Sequence, residues 1–289
     1  MQNVVVTGVS TGIGWGITRI LIQHGFRVFG SVRKTEDAER LSNEFGELFV
    51  PLVFDVTDEA AVVAAAREVR AQLKGETLFG LVNNAGIAAP GPLIYLPTDE
   101  FRYQLEVNLV GILIVTKAFA PLLGVDRSLR GRPGRIINIS SVSGKSASPF
   151  VGAYSTSKHG LEGFSESLRR ELILYGIDVI IVGPGPIATP IWDKAQEANL
   201  SQYANTDYVE PARRAQEYMV RNGKKGLPPE RVGEVVLQAL TLPNPRVRYA
   251  VVGRDSLQRF LQRLLPKRVV DRIIARALGL EHGNRKSTR

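Results

Sequence analysis

Tyr154 and Lys158 stand four residues apart in the run Ala153-Tyr154-Ser155-Thr156-Ser157-Lys158-His159. On a helix that spacing places the phenol and the amine on one face. A free tyrosine titrates near about 10 and is ionised to only roughly 0.1% at neutral pH. A neighbouring ammonium stabilises the tyrosinate. Moving the phenol by about 2–3 units takes roughly 3–4 kcal/mol, within reach of a close charge in a dry site. Such a pair can give a proton to a carbonyl oxygen or take one from an alcohol. Read alone, the pair is equally a half-buried helix tyrosine beside an exposed lysine.

A second signal opens the chain. Val4-Val5-Val6 runs into Thr7-Gly8-Val9-Ser10-Thr11-Gly12-Ile13-Gly14. Glycines let the backbone approach a pyrophosphate, and a helix N-terminus behind them offers free N–H groups and a positive dipole end. The spacing GxxxGxG departs from GxGxxG, and its placement between a strand and a helix gives it weight. Gly8, Ser10, Thr11, Gly12, Ile13 and Gly14 are the candidate contacts. Where a dinucleotide fold that prefers NAD carries an acid, this chain has Arg33 and Lys34. An arginine holds a 2′-phosphate by charge-assisted bonds, which favours NADP(H) over NAD(H). Glu36 and Asp37 nearby weigh the other way. Asp55, with Val56 beside it, can meet an adenine amino group or cap the helix that follows.

The elements that must position these residues alternate. Strands are expected at Val4–Thr7, Phe26–Val32, Leu48–Val56, Leu78–Val82, Arg135–Ile139, Asp178–Val182 and Arg248–Val252. Helices are expected from about Gly14 to His24, from Thr57 or Asp58 to Leu73, and from Asp99 toward Leu123. Two more follow, from Ala153 to Leu174 and from Pro229 to Leu240. Short apolar strands between helices imply an α/β fold: a Rossmann-type, doubly wound parallel sheet in a single domain. Residues 1–253 are expected to form this domain and 254–289 a basic helical extension. The alternation stops at about 186–229, where Trp192, Tyr203, Tyr208 and Tyr218 stand among polar residues; a substrate lid of irregular chain is expected there.

With Asn83-Asn84-Ala85-Gly86, Asn108, Ile139-Ser140-Ser141 and Pro184-Gly185 with Thr189 added in order, the chain resembles the short-chain dehydrogenase/reductase family from residue 3 to about 190. The resemblance implies oxidoreduction of a ketone and a secondary alcohol with a nicotinamide cofactor. Tyr154 would be the general acid or base and Lys158 would also hold the nicotinamide ribose. Ser141, thirteen residues before Tyr154, would bond the reacting oxygen, with Ser140 and Ser143 as competitors. Asn108 would help hold a water-mediated proton relay to Lys158. Asn83, Ala85, Gly86, Pro184, Gly185, Ile187 and Thr189 would line the cofactor. Family members commonly pair through their two long helices, which implies a homodimer or homotetramer.

Composition removes other chemistries. There is no Cys, so disulfides, zinc thiolates and cysteine nucleophiles are out. The three histidines, His24, His159 and His282, are far apart and have no HExxH spacing, so no metal site is expected. No GxSxG occurs. Residues 246–289 hold twelve basic and three acidic side chains, so the whole net charge of +9 sits in that tail. A nucleic-acid enzyme would carry its charge around the cleft, and no nucleic-acid partner is expected. No export signal or spanning helix is read, since Asn108, Lys117 and Pro121 interrupt the apolar run 107–125. A cytoplasmic protein is expected.

Phe150, Trp192 and Tyr203 lead the candidate substrate contacts. Residues 228–253 resemble the retinol and 17β-hydroxysteroid dehydrogenase branch, which implies a steroid-, retinoid- or lipid-like substrate. A 3-oxoacyl or fatty-chain ketone is the alternative, and a regulatory protein that binds NAD(P) without turnover is a third reading. In the tail, Leu257, Phe260, Leu261, Leu264 and Leu265 share one helical face. Val269, Val270, Ile273, Ile274 and Ala277 share another, opposite an Arg268, Arg272, Arg276 stripe. Either these faces pack on the body beside the cleft, which needs no partner, or they make peripheral contact with an anionic membrane.

Overall fold

The computed structural model describes residues 1–197, 199–253 and 265–281. Seven strands lie in the order β3-β2-β1-β4-β5-β6-β7. They are β1 (Asn3–Val6), β2 (Arg27–Val32), β3 (Phe49–Val53), β4 (Gly80–Asn83), β5 (Arg135–Ile139), β6 (Asp178–Pro184) and β7 (Arg248–Val251). Every neighbouring pair is parallel. Near-continuous burial along β1, β4 and β6 explains why they read as apolar runs rather than alternating ones.

Helices α1 (Gly12–Gln23), α2 (Thr35–Phe45), α3 (Glu59–Gln72), α4 (Thr98–Leu105), α5 (Gly111–Phe119) and α6 (Gly152–Glu171) connect the first strands. Asp58 caps α3, its side chain accepting from the Ala61 N–H. After β6 come α7 (Ile191–Glu197), α8 (Val209–Lys224) and α9 (Glu230–Thr241), then α10 (Lys267–Leu278) beyond β7. One sheet face buries Ile17, Leu21, Leu41, Val232 and Val236 of α1, α2 and α9. The other buries Val62, Val69, Val115 and Phe119 of α3 and α5.

The structure revises three expectations and leaves one outside the described residues. Helix α2 has no counterpart among the expected elements; its apolar Ala38 and Leu41 are buried, but a mostly polar surface hides the stripe. The segment at 186–229 is largely helical, not irregular, because α8 anchors on small side chains, Ala212 and Ala215. The long helix Thr98–Leu123 is interrupted by a π-helical turn at Glu106–Val110. That helix is apolar and long enough to cross a membrane by composition alone, yet Val107, Ile112, Val115 and Phe119 are buried in the fold. The face expected at 257–265 lies, apart from Leu265, outside the described residues.

Candidate active site

The order reverses between β1 and β4, so the loops after these strands diverge and open a crevice at their carboxyl ends. A continuous cleft of about 2720 Å³ runs from there toward α7, α8 and α10. Ordinary ligand pockets span about 300–1,000 Å³, so this one has room for a dinucleotide and a second molecule.

The glycine loop forms one wall. Gly8 has φ +69° and Gly12 φ +62°, left-handed values that favour glycine. A Cβ on Gly14 would lie 2.1 Å from the Gly8 carbonyl oxygen, so α1 begins hard against the turn. Asn84 fixes this corner: its Nδ2 donates to the Thr7 and Gly8 carbonyls at 2.9 and 3.0 Å. The Thr7 hydroxyl accepts from the Asn84 and Ala85 N–H groups.

Tyr154, Ser141 and Lys158 meet on the floor. The Lys158 amine lies 5.8 Å from the centre of the Tyr154 ring. It donates to the Ile139 carbonyl at 2.8 Å. Burial pushes the Tyr154 phenol above its usual value, while its hydrogen bond with Ser141 pulls the other way. Burial lowers Lys158 to about 8, opposed by the Glu162 charge. Of the competing serines, Ser140 donates to Glu162 at 2.8 Å. Ser141 Oγ accepts from the Ser143 N–H at 3.0 Å, fixing the turn that presents it.

Most of the other expected residues also line the cleft: Ser10, Thr11, Ile13, Arg33, Asp55 and Val56 at one end; Ala85, Gly86, Pro184, Gly185, Ile187 and Thr189 in the middle; Phe150, Trp192 and Tyr203 at the far end. Arg33 is exposed and stands 4.0 Å from Asp55 at the mouth. Asp55 also holds the Thr57 N–H and hydroxyl. Three expected residues stand outside the lining. Asn83 is buried beneath the sheet end, donating to Asn138 and Thr116 at 2.9 and 3.2 Å. Lys34 is exposed at the N-cap of α2. Asn108 is fully buried in the π-helical turn. Its amide exchanges hydrogen bonds with both backbone groups of Ile87 and donates to the Ser157 hydroxyl at 3.0 Å. It thereby ties the loop after β4 to α6.

Aromatic side chains hold the segment at 186–229 and the loop before α6. Trp192 Nε1 donates to the Ile187 carbonyl at 2.6 Å, and a Cβ on Gly223 would lie 2.1 Å from its ring. Phe150 adopts φ +65°, a strained value for a side chain of its size. The Gly91 N–H donates to its carbonyl at 2.7 Å and its ring meets Tyr208 edge-on, which holds it there. Tyr203 is buried with its hydroxyl against Gly91.

Residues 2–200 match the short chain dehydrogenase family model. The chain belongs to the short-chain dehydrogenase family. It is 38% identical over 278 residues to an NADPH-dependent 3-dehydrocapnine reductase of Ornithobacterium rhinotracheale, covering 96% of this chain and 98% of that one. It is 35% identical over 285 residues to human retinol dehydrogenase 5, covering 94% and 87%. Among solved structures, a short-chain dehydrogenase from Streptomyces avermitilis superposes with a TM-score of 0.73 at 27% identity, covering 91% and 93%.

As a short-chain dehydrogenase, the protein is an oxidoreductase of CH–OH and carbonyl groups that works with a nicotinamide dinucleotide. The cleft fits that group: glycines keep the pyrophosphate wall free of Cβ atoms, and the start of α1 faces it. Arg40 is a residue the sequence reading missed. Its guanidinium donates to the Ser10 carbonyl at 2.7 Å and pairs with Asp37. Only folding α2 back against the glycine loop brings it there.

Proposed function

We propose that the enzyme interconverts a ketone and a secondary alcohol with NADP(H), with a lipophilic substrate lying between the Tyr154 floor and the lid. The observation that carries this reading is the continuity of one cleft from Arg33 past Tyr154 to an apolar wall built by Trp192, Leu278 and Ile274. Gly8 to Gly14 would hold the pyrophosphate, Arg33 the 2′-phosphate and Lys158 the nicotinamide ribose. When bound, the cofactor supplies or accepts the hydride.

Tyr154 Oη would give its proton to the carbonyl oxygen in reduction and take one from the alcohol in oxidation. Ser141 Oγ accepts from Ser143 N and keeps its own proton to donate to the reacting oxygen. Lys158 supports the tyrosinate that reduction leaves. Asn108 keeps the loop after β4 in register with α6, and a water-mediated relay to Lys158 would pass its π-helical turn.

The relative named as an NADPH-dependent reductase supports both the cofactor and the reducing direction. The test is a titration with NADPH and NADH followed by a panel of ketones read at the reduced-nicotinamide absorbance. Turnover of lipophilic ketones with NADPH supports the reading. Turnover of short acyl thioesters alone points to a 3-oxoacyl substrate, and cofactor binding with no turnover to a regulatory protein. Exposed Tyr103, Val110 and Leu113 on the outer side of α4 and α5 suit pairing of two copies there.

A further inference from the structure

Glu162 is the only acidic side chain in the buried class among the described residues, and the chemistry above leaves it without a role. It lies on α6 one turn beyond Lys158 and two beyond Tyr154, so all three share a face. Its Oε1 accepts from the Ser140 hydroxyl at 2.8 Å and from Arg248 Nη2 at 3.1 Å. Its Oε2 accepts from Arg248 Nε at 3.0 Å and pairs with Lys145 Nζ at 3.1 Å. Arg248 Nη2 also reaches the Ser141 carbonyl at 3.4 Å. One carboxylate thus joins the last strand, the loop after β5 and the helix of Tyr154.

Space is kept for this junction. A Cβ on Gly144 would sit 2.7 Å from Ser140 Oγ and 3.0 Å from Glu162 Cγ. A Cβ on Gly183 would sit 2.6 Å from Arg248 Nη2. A desolvated carboxylate is costly unless each of its oxygens is partnered, and here both are.

We propose that Glu162 is a positioning residue of this site: it fixes the Ser140–Ser141 corner and supplies the negative charge that keeps the Lys158 ammonium protonated beneath Tyr154. This extends the reaction proposed above. The titratable groups beside Lys158 are Tyr154 and Glu162 on α6, while Arg248 from β7 and Lys145 from the loop after β5 pair with Glu162 itself. His159, next along α6, bonds the Ser155 carbonyl instead. Without the carboxylate, the buried Lys158 would lose the charge that opposes its desolvation. The ammonium would then release its proton at lower pH, and support for the tyrosinate would go with it.

The decisive experiment follows the lysine Cε signals of ¹³C-labelled protein through a pH titration, with Lys158→Met assigning the resonance. In the wild type Lys158 is expected to titrate at about 8. In Glu162→Gln, which keeps the shape and loses the charge, the midpoint falls by about one unit, while Glu162→Asp keeps the wild-type value. Lys145→Met, at a half-exposed position, removes a cation paired with Glu162 and moves the midpoint the opposite way by about a few tenths of a unit. In turnover, Glu162→Gln loses roughly tenfold in kcat with the cofactor KM within about twofold. Coincident titrations of wild type and Glu162→Gln overturn the proposal, as do equal shifts in the Gln and Asp variants or an unmoved midpoint in Lys145→Met. Should the wild type turn over no carbonyl or alcohol, the proposed reaction fails, and the titration still decides the role of Glu162.

Discussion

The Lys158 amine points past the Tyr154 ring, 5.8 Å from its centre, and spends a hydrogen bond on the Ile139 carbonyl at the end of β5. The i, i+4 spacing places the two side chains on one face, and the strand fixes how the lysine is held there. A positive charge is thereby set beneath the phenol by an element distant in sequence.

Removing the Tyr154 hydroxyl separates its proposed chemistry from binding. Tyr154→Phe keeps the ring that lines the cleft and loses the hydroxyl. It is expected to lower kcat by about 10²–10⁴ while the NADPH dissociation constant stays within about threefold. Single-turnover kinetics beside calorimetry check this; turnover near the wild-type rate would remove Tyr154 from the chemistry.

Lys158 carries a stability cost that depends on pH. Its folded-state pKa is lowered from 10.5 to about 8. Between these values the unfolded chain binds a proton that the folded chain does not, so stability rises with pH across that window. Below about 8 the cost is fully present, on the order of 3 kcal/mol. Lys158→Met is therefore expected to raise the Tm at pH 7 and to lose most of that advantage by about pH 10.5. Thermal melts at the two pH values read it directly, and a variant less stable than wild type at pH 7 contradicts the reading.

Arg33 is exposed at the mouth of the cleft and faces Asp55 rather than a buried partner, which leaves it available to an anion. Arg33→Ala is expected to weaken NADPH by about 10–100-fold, as for a lost charge-assisted bond, and NADH by much less. Equal weakening of both cofactors would mean that Arg33 acts on something other than the 2′-phosphate.

Gly14→Ala tests the cradle. Its Cβ would lie 2.1 Å from the Gly8 carbonyl oxygen and 2.5 Å from Asn84 Nδ2, so the loop must open. Cofactor binding is expected to fall by at least about a hundredfold, and the melting temperature by several degrees. Wild-type affinity in that variant would show that the loop tolerates displacement.

Helix α10 lays Val270, Ile274 and Leu278 along the cleft and rests its end, Leu278 and Leu280, against Ala212 and Ala215 of α8. Val269 and Ile273 remain exposed beside the Arg268–Arg272–Arg276 stripe. Deleting residues 255–289 is expected to raise KM for lipophilic ketones while cofactor affinity holds. Co-sedimentation with vesicles containing about 30% anionic lipid separates the two readings of the tail. Binding that survives the deletion rules out the tail as the membrane contact, and absence of binding by the full chain leaves the cleft as its role.

The sequence alone determined the sheet, the glycine turn and the shared face of Tyr154 and Lys158. Buried parallel strands read as apolar runs, the glycine turn needs its residue types at fixed spacing, and Tyr154 and Lys158 share a face through helical periodicity; all of this is local and survives in one dimension. Helix α2 and the helices at 186–229 escaped it because α2 and α8 are polar overall and bury few apolar side chains. Only the tertiary structure decided which neighbours meet across the fold. It placed Asn84 rather than Asn83 at the glycine turn, because alternate residues leaving β4 point to opposite sides. It brought Arg40 back to Ser10, and it joined Glu162 to Arg248 across 86 residues of chain. Contacts of that span are set by the packing of strands and helices, and no spacing in the sequence encodes them.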